Sequence, residues 1–174
     1  PYTPLFRSGT ATADATGAWT LAPAVALAAG THVITAQATD LAGNTSAASA
    51  ARSVVIDAAA PAAATITGFT VATDTGSSSA DGLTRHATPT LVGSAEAGTT
   101  VTVMDGAIVL GTTIADGSNT WAFTPAAALA AGSHSFTAIA TDAAGNVAPT
   151  SAAFAAEIDL TVPATPTIDG LTPA

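Results

Sequence analysis

The sequence predicts an all-β protein, and three observations carry that prediction. Hydrophobic residues make up 48% of the 174-residue chain but aromatics only 5%, so Ala and Val supply most of the apolar content and the core they build is thin. Val, Ile and Thr recur in short runs punctuated by Gly, Pro, Asn, Asp and Ser, a pattern that suits pleated strands and tight turns better than helices. The chain also repeats itself: Trp19 matches Trp121, setting an offset of 121 − 19 = 102 residues.

Pro23 and Pro125, His32 and His134, Asp40 and Asp142, Asp57 and Asp159, and Pro61 and Pro163 obey the same shift. From Gly9 to Leu171 the copies align without a gap, and about half of the paired positions are identical. Solenoid repeats run to roughly 20–50 residues, so a longer period is that of a domain. The frame sets residues 1–57 as the C-terminal part of a truncated repeat, 58–159 as one complete repeat, and 160–174 as the start of a third.

Inside the complete repeat, strand-like runs fall near 64–72, 88–95, 99–105, 107–115, 119–125, 133–141 and 149–158. Seven short strands in about a hundred residues fit an immunoglobulin-like sandwich. Along residues 134–141 the alternation puts Phe136, Ala138 and Ala140 on one face and Ser135 and Thr137 on the other, so that strand has one buried side. The segments APAVALAA at 22–29 and TPAAALAA at 124–131 are rich in helix formers, short, and end at Gly. A single helical turn crossing between the sheets is expected there.

Charge narrows the function. Three Arg plus Lys stand against twelve Asp plus Glu, a net charge of −9, and there is no lysine. That balance disfavours nucleic acid and anionic lipid surfaces as partners. It leaves most carboxylates without a basic partner, facing water or available to a cation. With no Cys, neither disulfides nor a thiolate metal site can form. No apolar run approaches membrane-spanning length, and no signal-peptide pattern opens the chain. The start at Pro1 reads as an excerpt of something longer.

The segments GTATADATGAW, LAAGTH, ATDLAGN, DTGSSSADGLT and TPTLVGSAEAGTTVTV resemble the bacterial immunoglobulin-like repeats of giant secreted adhesins of the RTX and biofilm type. The resemblance covers nearly the whole chain from Gly9 onward. It departs at Pro1 to Ser8, which aligns with Val103 to Leu110 and shares nothing with it. The resemblance implies strings of sandwiches that carry a binding tip away from the cell, with calcium at the joints. It also implies an extracellular or cell-surface location, neighbouring repeats as partners, and an adhesion target elsewhere in the parent protein.

In a sandwich, loops alternate between two ends, which sorts the carboxylates. Loops after the second, fourth and sixth strands hold Glu96, Asp116 and Asp142, and the incoming linker brings Asp57. Asp57, Glu96 and Asp142, with backbone carbonyls near Asn146, are therefore expected as one Ca²⁺ site, since calcium takes six to eight oxygens. At the opposite end lie Asp74 and Asp81 of DTGSSSADG and the strand-terminal Asp159, a second set of candidate ligands. Turn chemistry alone also favours Asp, Asn and Gly at such places, and the choice stays open. Asp14, Asp105 and Asp116 read as plain hairpin turns.

No G-x-S-x-G nucleophile elbow occurs, and no enzyme is expected. His32 and His134 recur in register, as packing residues do, and a corner hydrogen bond to nearby backbone is expected of each. Trp19 and Trp121 recur likewise and are assigned to the core. The expected function is a structural extender, with a glycan- or receptor-binding module and an accessory domain of an exported enzyme left as alternatives.

Overall fold

The computed structural model describes residues 9–170. The divergent Pro1 to Ser8 segment and the last four residues of the expected third repeat lie outside them. The chain forms two compact units, Pro1–Ala59 and Ala60–Ala174.

In the N-terminal unit, β1 (Gly30–Ile34) pairs antiparallel with β2 (Arg52–Ile56), Gly30 opposite Ile56. The C-terminal unit contains β3 (Thr65–Phe69), β4 (Leu83–Thr84), β5 (Leu91–Ser94), β6 (Thr100–Asp105), β7 (Ile108–Ile114), β8 (Thr120–Phe123), β9 (Gly132–Thr141) and β10 (Phe154–Ile158). They form a three-stranded sheet ordered β3-β5-β8 and a five-stranded sheet ordered β4-β10-β9-β6-β7. All seven expected strands are present. The short β4 is an addition to them: two residues give no alternation to read, and β4 exists because it pairs parallel with β10, Glu157 opposite Leu83.

The two units share register as well as sequence. Gly132 faces Ile158 on β9 and β10 as Gly30 faces Ile56. Thr141 bridges Val147 as Thr39 bridges Thr45. Ser151 Oγ accepts from the Ala138 amide as Ser49 Oγ does from Ala36.

Between the facing sheets of the C-terminal unit lies one core. Phe136, Ala138 and Ala140 are fully buried on the face that alternation assigns them. Phe69 meets Phe136 and Phe154 edge-on, with ring centroids 6.0 and 5.3 Å apart. Seven of the thirteen residues of the buried cluster are alanines, so most of the apolar burial rests on Phe69, Leu91, Trp121 and Phe136. Trp121 is 4% exposed. Its β5 partner in the ladder is Gly93, whose missing side chain leaves room for the indole.

Trp19 departs from expectation: it is 53% exposed. Trp121 is covered by β3 and β5, and the described residues of the N-terminal unit contain no counterpart of either strand. For the same reason Ile34 is 39% exposed while its equivalent Phe136 is 0%.

The expected helical turn is also absent. Among the described residues there is no helix, and 124–131 is a bent crossover. Pro125 is buried and has no N–H to give. The Leu129 amide donates across to the Ala87 carbonyl at 2.7 Å, and the Leu129 side chain packs against the core. A tertiary hydrogen bond and a half-buried leucine outweigh the helix propensity of eight residues, too few to sustain a helix alone.

Candidate metal centre

The ATDAAGN stretch folds into a self-sufficient turn built on its acid. Asp142 Oδ1 accepts from the amides of Ala144 and Asn146 at 2.9 and 2.8 Å, and Oδ2 accepts from Asn146 Nδ2 at 2.8 Å. The Asp142 amide donates to the Asn146 carbonyl, and the Gly145 amide to the Asp142 carbonyl. Gly145 sits at φ +90°, where a Cβ would be strained. Asp40 and Asn44 make the same set of bonds in the N-terminal unit, and Gly43 takes the left-handed position at φ +89°.

Asp14 and Asp116, read from sequence as hairpin-turn acids, use this device too. Each accepts at Oδ1 from the amides two and four residues on, at 2.8 and 3.0 Å in both cases. Their left-handed residues are Gly17 at φ +82° and Asn119 at φ +62°. One sequence pattern, an acid three residues before a glycine or asparagine, therefore writes four identical turns.

These bonds favour the ionised carboxylate. The Asn146 side-chain amide holds Asp142 below the usual carboxylate range, the Asn44 amide does so for Asp40, and the Thr16 hydroxyl for Asp14. For Asp116 the leading cause is the Thr120 backbone N–H. Because the folded-state pKa lies below the unfolded 3.8, the stability each turn contributes is present above that value and lost as pH falls through the folded one. Thermal melting between pH 5 and pH 2 checks this. Asp116→Asn keeps the Oδ1 acceptor, and the Thr120 hydroxyl can rotate to suit an amide. That variant is expected to lose less of its melting temperature on acidification than the parent chain; equal losses would refute the assignment.

The end of the C-terminal unit at which β3 begins collects three loops. Thr65 pairs with Ser94, Ser94 with Thr120, and Thr100 with both Ile114 and Thr141, so loops 95–99, 115–119 and 142–146 share that end. Glu96, Asp116 and Asp142 therefore lie at one end of this unit, as the alternation of loops requires. Two of the loops are knitted: the Ala97 amide donates to Asn119 Oδ1 at 2.9 Å, and the Gly98 amide to the Ala115 carbonyl at 2.9 Å. Glu96 is exposed, and its carbonyl accepts from the Thr99 hydroxyl at 2.7 Å. Asp57 lies in the N-terminal unit just after β2, where its Oδ1 accepts from the Ala59 amide at 3.0 Å. Asp159 repeats that turn after β10, accepting from the Thr161 amide at 2.8 Å.

The second set is strung along β4. Asp81 Oδ1 accepts from the Leu83 amide at 3.0 Å, and the Asp159 amide donates to the Thr84 carbonyl at 2.9 Å. Asp74 is not a loop-tip acid: it is 5% exposed, and its Oδ1 is buried with no hydrogen-bond partner. Hydroxyls surround this segment. Thr84 Oγ1 donates to the Thr73 carbonyl, and Thr75 Oγ1 accepts from the Arg85 amide.

All candidate ligands are hard oxygens, which is the donor set calcium requires. The buried, unpartnered Asp74 oxygen is the kind of group that a cation or water satisfies. Asp142 retains a free lone pair only on Oδ2, so it fits a monodentate role. Among the described residues no three His, Asp or Glu side chains gather closely enough to hold a metal by themselves. Carbonyls, hydroxyls and water must therefore complete any site.

Asp105 departs from its reading as a plain turn acid. It ends β6, and its Oδ2 lies 2.6 Å from His134 Nδ1. The His134 and His32 corner bonds are as expected: Nε2 meets the Ala130 and Ala28 carbonyls at 3.0 and 2.8 Å. Sequence reasoning missed the Asp105 partner because twenty-nine residues separate the pair. Only the pairing of β6 with β9, Asp105 opposite Phe136, brings them together.

The fold and its repeated acidic turns define a tandem pair of immunoglobulin-like repeats. The chain belongs to the bacterial Ig-like domain family, whose model matches residues 6–58 and 61–160. Among solved structures it is similar to one titled "Crystal structure of tetra-tandem repeat in extending region of large adhesion protein", at 25% identity and a TM-score of 0.41. That match covers 87% of this chain and 38% of the other, so the chain spans well under half the length of that structure. No curated protein matches the chain.

Proposed function

We propose that this chain is an extender segment of a bacterial surface or secreted adhesin, a non-catalytic spacer whose joints are stiffened by calcium and whose adhesive domain lies elsewhere in the parent protein. The observation that carries the reading is repetition in identical register. Ladder, bridge and turn recur at a 102-residue period, 158 − 56 for the paired Ile56 and Ile158, as a mechanical element requires and a single active site does not.

Calcium enters through Asp57, Glu96 and Asp142 with carbonyl oxygen near Asn146, and through Asp74, Asp81 and Asp159. Three features support it: the surplus of twelve acids over three bases, the shared end of loops 95–99 and 142–146, and the unpartnered Asp74 oxygen. Calcium supplies the positive charge that the chain lacks. Without it, carboxylates at one end of a unit repel one another, and the exposed Ala-rich stretch 58–60 that follows Asp57 acts as a hinge.

Small-angle scattering of the full chain in millimolar Ca²⁺ and in chelator tests this. The radius of gyration is expected to be larger and the chain stiffer with the ion. Thermal melting is expected to rise in parallel, by the equivalent of about 2.7 kcal/mol when calcium reaches a hundredfold excess over Kd. Identical scattering and melting in both buffers would overturn the calcium reading.

A further inference from the structure

His134 lies between two acceptors. Its Nδ1 is 2.6 Å from Asp105 Oδ2 and its Nε2 is 3.0 Å from the Ala130 carbonyl. A carbonyl never donates, and a carboxylate does so only in acid. Neutral imidazole has one N–H and one lone pair, so a neutral ring would turn its lone pair on one of these oxygens. Both contacts are satisfied together only in the imidazolium form.

The two acceptors belong to different parts of the fold. Asp105 ends β6 at the β6–β7 hairpin, while Ala130 lies in the crossover that links β8 to β9. The ring is held in place: it stacks on Phe136 with centroids 5.6 Å apart and planes 7° from parallel. Asp105 is held as well, its Oδ1 accepting from the Ser135 amide at 3.1 Å. From β10, Glu157 adds a second carboxylate nearby and accepts from the Ser133 hydroxyl at 2.6 Å. Asp105 and Glu157 are the charged groups that act on the ring. In the other repeat His32 keeps its carbonyl contact, but the position 105 − 102 = 3 is Thr3, so the carboxylate half is particular to the complete repeat.

We propose that His134 is a proton-operated clasp: as the imidazolium it ties the end of β6 to the β8–β9 crossover, and loss of its proton releases one of the two ties. None of its residues is among the carboxylates assigned to calcium, so the clasp works with or without the ion. The direction of titration agrees. Burial pulls the His134 pKa down, but the hydrogen bonds to Asp105 and Ala130 and the charges of Asp105 and Glu157 outweigh it, placing the pKa above 6.5. A folded pKa above the unfolded one means that the clasp's contribution is complete below about pH 6.5 and disappears as pH rises through the folded value. The complete repeat therefore resists opening most in mildly acidic surroundings.

Two measurements on the full chain in chelator test the proposal. In an NMR titration of the parent chain, the His134 ring resonances are expected to have a midpoint above 6.5. Each pH unit of excess appears as about a tenfold fall in the folding equilibrium constant between pH 6 and pH 9. Urea denaturation of Asp105→Asn and His134→Gln is expected to show that fall abolished, with amide exchange at Gly106 and Ser135 no longer slowed by lowering the pH beyond its intrinsic dependence. A His134 midpoint at or below 6.5, or an unchanged pH slope in Asp105→Asn, would overturn the clasp. The parent titration decides the matter even if a variant fails to fold.

Discussion

Replacing Trp121 with alanine is expected to destabilise the C-terminal unit by about 3–5 kcal/mol, the range for emptying a buried aromatic site. The same change at Trp19 is expected to cost under about 1 kcal/mol, as exposed substitutions do. The two residues occupy the same place in the repeat, so sequence similarity predicts equal effects and burial predicts unequal ones. Burial decides. Trp121 is 4% exposed and Trp19 53%, and in a cluster with seven alanines among thirteen members few other side chains can compensate. Urea denaturation followed by amide circular dichroism reads both variants. Equal losses would show that Trp19 is covered as Trp121 is.

Gly93→Ala is expected to cost about 3 kcal/mol, the top of the usual overpacking range, although alanine ordinarily suits a strand interior better than glycine. Gly93 lies in β5 with no special backbone angle, so sterics alone set the effect. A Cβ there would stand 1.9 Å from the Thr65 carbonyl oxygen and 2.6 Å from Trp121 Cζ2. The first obstacle is backbone on β3 and the second is the largest side chain of the core. Neither can move without opening the β3–β5 ladder or lifting the indole. A thermal shift of the Gly93→Ala chain measures the effect, and Gly98→Ala separates its cause. A Cβ added at Gly98 would meet no atom within 4 Å, but the residue sits at φ +81°, so its cost is backbone strain of about 1–2 kcal/mol. A Gly93→Ala chain as stable as the parent would mean that β3 and β5 do not approach as closely as the ladder requires.

Much of the fold is legible in the sequence because it is written in local patterns. The alternation at Phe136, Ala138 and Ala140 specifies which face of β9 is buried. The acid-x-x-Gly or acid-x-x-Asn spacing writes the turns at Asp14, Asp40, Asp116 and Asp142. Repetition fixes the register of elements that short runs alone leave ambiguous. The candidate site is legible only in part. Strand alternation sorts Glu96, Asp116 and Asp142 to one end of their unit, because the side and end of each loop follow from strand order. It gives no warning that Asp74 is buried, since that depends on how residues 70–90 close on themselves, with the Asp74 amide donating to the Thr70 carbonyl and the Thr84 hydroxyl to the Thr73 carbonyl.

The all-β class, the period, the inward face of each long strand and the chemistry of the turns were set by residue order, because all of them follow from interactions spanning a few positions. The burial of Trp121 against the exposure of Trp19, the bent crossover in place of a helix, the two-residue β4 and the pairing of Asp105 with His134 emerged only once the chain was folded. Each of these depends on contacts between segments far apart in the chain. Identical local sequence cannot distinguish a covered surface from an uncovered one.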